Sequence, residues 1–515
     1  MTVDLRRRAL LLAGAGLLGL ASRANPASRP DALRTGRDMF ALGVAAGDPT
    51  DDGFVIWTRL LPAALDDPPL PDASIEVEWE VAGDAQFIRI LRRGVTWAEP
   101  AWAHSVHVEV SGLASDRWYW YRFRAGGAQS AVGRGRTFAA APATPAELRF
   151  TLASCQHFEH GHYAAYGEMA RDAPDLVVHL GDYIYEDNLP ADRPAVRRHC
   201  NPPPPTLEGY RERYACYKRD PHLQAAHAAA PWAVIWDDHE FMNDYAGDIA
   251  PDGMPGESYL LRRAAAYQAY WEHMPLRMFS RPDRGHVRLY RELRVGALAR
   301  LLMLDARQYR SLQPCIDPKR RGGRWTDCPE RTAADRTMLG GEQERWVADR
   351  LRAGGCTWNL LGQSVMMAGF FGQSPSGPVW WTDGWDGYPS ARERLLASLA
   401  SPGVANPVVF SGDIHAWFAS DLRAHAGAPV MGAELVTTSI SSAGQAYRPI
   451  VDQLPNNPHV RYFESRKRGY TRCRLTDAAL EADFVAVDDV RNPDSTCRVI
   501  HRVTVEAGRP GIASA

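Results

Sequence analysis

The chain lacks the features that mark several large classes of protein. Its 59 lysines and arginines are balanced by 61 acidic residues, so the formal net charge is -2 and no general basic field exists to attract nucleic acid or an anionic membrane. No apolar run reaches the roughly 20 residues needed to span a bilayer. There is no internal repeat and no Gly-x-Ser-x-Gly elbow of the kind that presents a serine nucleophile. We therefore expect no nucleic-acid-binding patch and no stable membrane anchor, and any anionic substrate must be held locally.

The first 24 residues are typical of an export signal. Three arginines, Arg6 to Arg8, precede an apolar run from Ala9 to Ala21, and Ser22-Arg23-Ala24 then places small residues where a signal peptidase cuts. The arginine pair resembles a twin-arginine signal, which predicts export of a folded protein by the twin-arginine machinery to a periplasmic or secreted location. The alternative is a chance basic start on a cytosolic enzyme.

Eight cysteines in an exported chain favour disulfide bonds. Three local pairs stand out by spacing: Cys200 with Cys216, Cys315 with Cys328, and Cys473 with Cys497. Cys155 and Cys356 are left over and could pair with each other. Spacing alone does not establish these pairings, but an unpaired Cys155 would be free to bind a metal.

Residues 38–140 have the pattern of an antiparallel β-sandwich. Short runs alternate apolar with polar residues at period two and are separated by Gly, Pro and Asp turns, as in Phe54–Thr58, Ile75–Val81 and Trp118–Phe123. The following Ala139–Glu147 is small and proline-containing, which is typical of a linker. We predict a second domain over residues 148–500, which suits a chain of 515 residues.

Apolar runs separated by helical stretches predict that this second domain is α/β. Between the first two runs, Tyr163, Tyr166 and Met169 share one face of a helix. The expected fold is a layered α/β domain with a largely buried sheet. The runs are Leu148–Ala153, Leu176–Leu180, Ala233–Trp236, Leu298–Leu304, Asn359–Leu361 and Val408–Phe410.

Four of the runs end in polar clusters. Because ligands of open α/β sheets bind outside the carboxyl ends of the strands, we expect the clusters to converge on one crevice. Each alone has an ordinary explanation, since an Asp after a strand is often a helix cap and a lone His is often a core residue. The four are Ser154–His157, Gly181–Glu186, Asp237–Glu240 and Ser411–His415.

The order of these clusters resembles the metallophosphoesterase superfamily, in which two metals clamp phosphoryl oxygens and activate a hydroxide for in-line attack. The superfamily usually opens with Asp-x-His, whereas this chain has Ser154-Cys155-Gln156, the form that the PhoD-type alkaline phosphatase and phosphodiesterase family shows. The resemblance to that family covers roughly residues 40 to 490. It is carried further by Phe40–Pro49, Val55–Arg59, His179–Glu186, Trp236–Glu240 and Leu304–Arg310.

The resemblance implies the metals and their ligands. Ferric iron would be held by Cys155, Asp182, Tyr185 and either Asp413 or His415. One or two calcium ions would be held by Asp182, which bridges the metals, together with Asp238, Asn243 and neighbours, although another divalent metal could take this place. Thiolate suits iron, and carboxylate and amide oxygens suit calcium. Cys155 could instead be a buried core residue, and Tyr185 an aromatic residue packed beneath its loop.

Two further residues are predicted to act on the substrate. His239 stands where related enzymes place a histidine near the leaving group, which favours a general-acid or transition-state role; the alternative is a structural histidine bonded to a carboxylate. Arg307 could make a bidentate contact with a phosphate oxygen, and the alternative is a buried ion pair with Asp305 or another acid.

The sequence therefore predicts an exported, metal-dependent phosphoesterase that hydrolyses phosphate mono- or diesters at alkaline pH. A phospholipase D-like diesterase would use the same metal centre with a different pocket. From other classes, a non-catalytic metal-containing binding protein predicts closed coordination, whereas catalysis needs an open metal position. An iron-tyrosinate oxidase is disfavoured by the bridging carboxylate and its divalent partner.

Overall fold

A computed structural model describes residues 38–62, 69–251, 253–316, 323–325 and 328–515. The predicted export signal, residues 1–24, lies outside the described residues. Within them, no helix has both the length and the apolar character that a bilayer-spanning segment requires.

The N-terminal part is a sandwich of two β-layers. One layer contains β1 (Val44–Gly47), β2 (Phe54–Arg59) and β5 (Ser105–Val110); the other contains β3 (Ile75–Ala82), β4 (Ile90–Ala98), β6 (Trp118–Ala125), β7 (Ala128–Gln129) and β8 (Gly133–Arg136). Alternate residues of β6 are buried, and Tyr121 and Phe123 pack in one core with Val77 of the same layer and Ile56 of the facing layer. The three runs that predicted strands here all form strands.

The sandwich shares a sheet with the part that follows it. Strand β1 pairs in parallel with β11 (Pro231–Ile235), so that Ala46 lies opposite Pro231 and Gly47 opposite Trp232. A side chain at position 47 would meet the carbonyl oxygen of Pro275 at 2.1 Å, which explains the glycine at this close approach. Division of the chain into domains at residues 140 and 148 stays a prediction, but the sheet itself continues across that boundary.

Two large sheets form the second part. The nine-stranded sheet has the order β24-β23-β22-β9-β10-β11-β1-β2-β5, and the seven-stranded sheet has the order β12-β13-β15-β18-β20-β19-β21. The additional strands of the first are β9 (Leu148–Ala153), β10 (Leu176–Leu180), β22 (Arg468–Leu475), β23 (Ala479–Val487) and β24 (Cys497–Glu506). Those of the second are β12 (Arg291–Val295), β13 (Ala299–Met303), β15 (Trp358–Gly362), β18 (Pro407–Ser411), β19 (Trp417–Leu422), β20 (Gly432–Val436) and β21 (Val460–Glu464). A small sheet contains β14 (Arg324–Trp325), β16 (Phe371–Ser374) and β17 (Gly377–Trp381).

The two large sheets pack face to face, with helices on their outer faces. Phe150 of β9 and Phe410 of β18 meet across the interface with their ring centroids 5.4 Å apart. On the far side of the second sheet, Val347 and Leu396 from two helices pack on Leu361. The prediction of an α/β fold is confirmed. The sequence pattern predicted one largely buried sheet, whereas the structure has two that pack face to face. The helices are α1 (Ala164–Asp172), α2 (Leu207–Lys218), α3 (Pro221–Ala229), α4 (Gly256–His273), α5 (Gly340–Arg352), α6 (Pro389–Leu399) and α7 (Tyr447–Val451).

Two of the three predicted disulfides form, and the third prediction is wrong. Cys200 pairs with Cys216 and Cys315 with Cys328. Cys473 and Cys497 are free thiols, because they lie on β22 and β24 with β23 between them, at positions five residues apart along that strand: Cys473 is opposite Ala482 and Cys497 opposite Val487. Cys155 and Cys356 are also free, the first beyond the carboxyl end of β9 and the second before the start of β15.

Candidate metal centre

The polar clusters that follow β9, β10, β11 and β18 meet where the two large sheets come together. Cys155, Asp182, Asp237 and Asp413 each lie two residues beyond the end of a parallel strand. The loops approach closely, since a side chain at Gly412 would meet the Ser154 Oγ at 2.3 Å. Convergence therefore follows from strand direction and from the packing of one sheet on the other.

Four residues of these loops adopt left-handed backbone. The φ angles of Cys155, Asp182, Asp413 and His415 are 58°, 57°, 64° and 52°. For residues other than glycine this conformation costs on the order of 1–3 kcal/mol each, and such strain collects at functional sites. The turns aim the four side chains back into the gap between the loops.

Cys155, Asp182 and His415 form the first ligand group. Their Sγ, carboxylate oxygen and ring nitrogen all lie within 4.8 Å of one another. The Tyr185 Oη is 2.8 Å from Asp182 Oδ2 and 2.9 Å from His415 Nε2. His415 Nδ1 donates to the Ala443 carbonyl at 2.7 Å, which leaves the lone pair on Nε2 directed into the group.

Further groups of ligand atoms overlap with the first. Asp182 also groups with Asp238 and His239, and Asp238 takes part in two more groups, one with Asp237 and Asp413 and one with Asp244 and Asp383. Asp182 and Asp238 are thus shared, as expected of carboxylates that bridge or link neighbouring metal positions.

Three buried carboxylate oxygens at the centre have no hydrogen-bond partner. These are Asp182 Oδ1, Asp237 Oδ2 and Asp238 Oδ1, and all three residues are at most 2% exposed. A buried carboxylate oxygen without a hydrogen bond is costly, whereas a cation between Asp182 and Asp238, which share a ligand group, would satisfy the oxygens of both. The donor set, with one thiolate, one phenol, imidazole and several carboxylates, therefore fits metal ions.

Burial sets the ionisation of the first group. It raises the pKa values of Asp182, Cys155 and Tyr185 well above their usual range, with nearby carboxylates adding to the effect. It lowers the pKa of His415 to about 3, so this ring is neutral and can act as a ligand. A bound cation would instead lower the pKa values of these acids, because it favours their deprotonated forms.

His239 lines the cavity beside the second group. Its Nδ1 is 2.7 Å from Glu186 Oε2, and its ring lies 4.1 Å from the Tyr185 ring. Although burial lowers the pKa of His239, the carboxylates of Glu186, Asp238 and Asp182 raise it well above its usual value. With Nδ1 paired, Nε2 is the nitrogen left to act towards the cavity.

Arg307 lies behind the carboxylates rather than in the cavity. Its side chain is 0% exposed; Nε donates to Asp237, and Nη1 donates to Asp383 Oδ2 at 2.8 Å. Its Nη2 is 3.6 Å from Asp238 Oδ1 and 3.7 Å from Asp413 Oδ1. The predicted phosphate contact does not fit this geometry, since the guanidinium already faces four acids and does not line the cavity.

The metal groups form one end of an open cavity of about 440 Å³. Asn243 lines it, close in sequence to Asp244, and its backbone N–H donates to Glu186 at 2.7 Å. Trp381, at the end of β17, and Trp385, on the segment that follows it, also line the cavity. The cavity gives a substrate access to the ligand groups from solvent.

Sequence reasoning missed several supporting residues. Asp383 joins the site from the loop after β17, a strand that pairs antiparallel in the small sheet and was not among the predicted apolar runs. The sequence predicts no separate role for Glu240, the last residue of the third polar cluster. Its buried carboxylate accepts from the backbone N–H groups of Asp182 and Asp237 at 3.1 and 2.8 Å and so links two loops. Ser442, 2.9 Å from the Tyr185 hydroxyl, lies beyond all four clusters.

Comparisons with known proteins identify relatives of this chain. The family model for the PhoD-like phosphatase matches residues 150–484, and the model for the N-terminal domain of that family matches residues 24–139. Alkaline phosphatase D of Bacillus subtilis (strain 168) is 44% identical over 464 residues, which is 88% of this chain and 78% of that protein. A solved structure described as "Structure of PhoD" matches with a TM-score of 0.87 and 41% identity, over 92% of each chain.

Proposed function

Because this chain belongs to the PhoD-like phosphatase family, it is a phosphoric ester hydrolase, and we propose that it hydrolyses phosphate mono- and diesters at a centre of ferric iron and calcium. The observation that carries the proposal is the pair of orphaned carboxylate oxygens, on Asp182 and Asp238, at the end of an open cavity. An open approach to the ligands favours catalysis over a closed structural or storage site.

The ligand types divide between the two metals. For ferric iron we assign Cys155, Asp182, Tyr185 and His415, since Asp413 groups instead with Asp237 and Asp238. For one or two calcium ions, or another divalent ion, we assign an all-oxygen set. That set is Asp182, Asp238, Asn243 and Asp413.

Residues of the chain would bind the metals, supply a proton and position the carboxylates. When bound, the metal ions would polarise the phosphoryl oxygens and activate a water for in-line displacement. Asp182 belongs to two ligand groups and would be shared between two metal positions. His239 is oriented by Glu186 and can hold a proton at Nε2 for the leaving oxygen. Arg307 acts by positioning, because it fixes the carboxylates of Asp237 and Asp383 with charge-assisted hydrogen bonds.

We expect Tyr185→Phe to remove a visible absorption band together with ester hydrolysis. A phenolate bound to ferric iron gives colour, and phenylalanine has no oxygen to bind. The measurement is the visible spectrum of the purified protein alongside hydrolysis of a chromogenic monoester and diester, with and without added calcium. The matched control is Tyr462→Phe, which changes a half-buried tyrosine outside the centre.

The outcomes separate the parts of the proposal. A colourless protein that still hydrolyses esters would exclude ferric iron from the proposal but leave the hydrolase function standing. The ratio of the rates for the monoester and the diester gives the ester preference. A metal-loaded protein that hydrolyses neither ester contradicts the proposed reaction and favours a metal-binding protein without turnover.

We also propose that the protein works outside the cytoplasm after twin-arginine export. The two disulfides, Cys200–Cys216 and Cys315–Cys328, support this because such bonds persist in oxidising compartments. Cell fractionation checks it: we expect the protein with periplasmic or secreted markers, and its recovery only with cytosolic markers would contradict export.

A further inference from the structure

Part of the wall of the cavity is apolar. Its residues come from the segment between β15 and β16, from the loop after β18, from β19 and from α7. Together they give the cavity an apolar surface in addition to its ligand groups. The residues of this apolar wall are Met366, Ala368, Phe370, Ile414, Phe418 and Ile450.

Two carboxylates fix the backbone of this wall. The Glu434 side chain accepts from the N–H groups of Met367 and Ala368 at 2.6 and 2.7 Å, and Asp386 accepts from Phe370 N–H at 2.8 Å. Ile450 packs against an apolar cluster that includes Phe418, and this contact anchors the Ile450 part of the wall. The wall is thus a fixed surface, suited to contact with a ligand of defined shape.

The residues that line the cavity in the described part of the chain include six aspartates and no lysine or arginine. Asp386 is offset by Arg392, whose Nη1 lies 2.6 Å from it. The other five face the metal positions or their surroundings. Apart from His239, beside the ligand groups, this lining therefore offers no cationic side chain to a second ionised group on a substrate, whereas an alkyl or aryl group would find hydrocarbon.

We infer that the apolar wall is a subsite for an alkyl or aryl substituent on the reacting phosphate, and that Phe370 and Ile450 determine this specificity. The inference rests on the proposed phosphoesterase function and names its substrate class. Each methylene that the wall buries improves binding by up to about fourfold, the factor that corresponds to its transfer from water.

Binding of methyl alkyl phosphates with methyl, propyl and hexyl groups tests this subsite. These monoanionic diesters differ only in hydrocarbon length, and calorimetry on the protein as purified gives each Kd. We expect Kd to fall with each methylene that reaches the wall. Phe370→Ser and Ile450→Asn lie on different elements, and each should reduce the fall of Kd with alkyl chain length. Phe371→Ser should keep it, since Phe371 lines a neighbouring cavity instead.

Turnover of bis(4-nitrophenyl) phosphate is measured on the same samples. Turnover with a Kd that does not change with chain length, or a length dependence untouched in both wall variants, overturns the inference. A length dependence without turnover overturns the proposed function and leaves the apolar subsite standing. The two failures are therefore distinguishable.

Discussion

Replacing Asp182 with asparagine is expected to lower kcat/KM for phosphate-ester hydrolysis by about 10³-fold or more. The carboxylate belongs to two ligand groups, and an amide cannot offer two anionic oxygens. Losing metal stabilisation of transition-state charge, which amounts to several kcal/mol, corresponds to about this factor. The measurement is steady-state hydrolysis of a chromogenic diester with metal content determined on the same sample.

This variant should stay folded. Asparagine accepts the left-handed backbone at position 182, where φ is 57°, and burial already favours the neutral form of the aspartate without metal. Asp248→Asn, at an exposed carboxylate outside the cavity, is the matched control and should keep wild-type activity. Wild-type kcat/KM in a folded Asp182→Asn protein would exclude Asp182 as the shared ligand.

Arg307→Met should have the largest effect on stability. The guanidinium faces Asp237, Asp238, Asp383 and Asp413, so its removal leaves buried carboxylates without their cation. Breaking a buried ion pair from one side costs about 3–5 kcal/mol. We expect a lower midpoint in thermal unfolding, and a larger rise of that midpoint on adding calcium than in the wild type, because calcium would replace part of the missing positive charge.

The control for this effect is Arg345→Met, which removes an exposed arginine on α5 and should leave the midpoint almost unchanged. Arg307→Lys keeps the positive charge but not the planar guanidinium group. Its unfolding midpoint should lie between those of Arg307→Met and the wild type. An Arg307→Met protein as stable as the wild type would show that the four aspartates do not depend on this cation.

Strand positions and the convergence of the clusters were accessible from the sequence for a simple reason. A buried parallel strand is a continuous apolar run, and the polar residue that ends it stands at the carboxyl edge of the sheet. Leu148–Ala153 and Leu176–Leu180 were predicted with the bounds that the structure has. The family followed from the residues after those strands, and the comparisons confirm it.

Features that depend on distant parts of the chain were not accessible. Pairing of β1 with β11 joins segments about 185 residues apart, and no local pattern encodes it. Asp383 and Glu434 lie outside the four clusters, and no local sequence pattern distinguishes them from other acidic residues of the chain. The Cys473–Cys497 prediction failed for the same reason, because spacing carries no information about the strand that lies between them.

Packing also bears on the proposed role of Arg307. Its motif predicted a position near the site, and its side chain lies against four aspartates of the ligand groups. Burial and four acidic neighbours, which a sequence does not display, support the proposed positioning role rather than a contact with substrate.

The central claim is tested most directly by the rate of hydrolysis of bis(4-nitrophenyl) phosphate at three stages. These are before metal removal, after metal removal, and after the metals are returned. We predict that removal of iron and divalent ions abolishes turnover and that their return restores it, because the orphaned oxygens of Asp182 and Asp238 would again hold cations. Full turnover by protein shown to be free of metal would contradict the account.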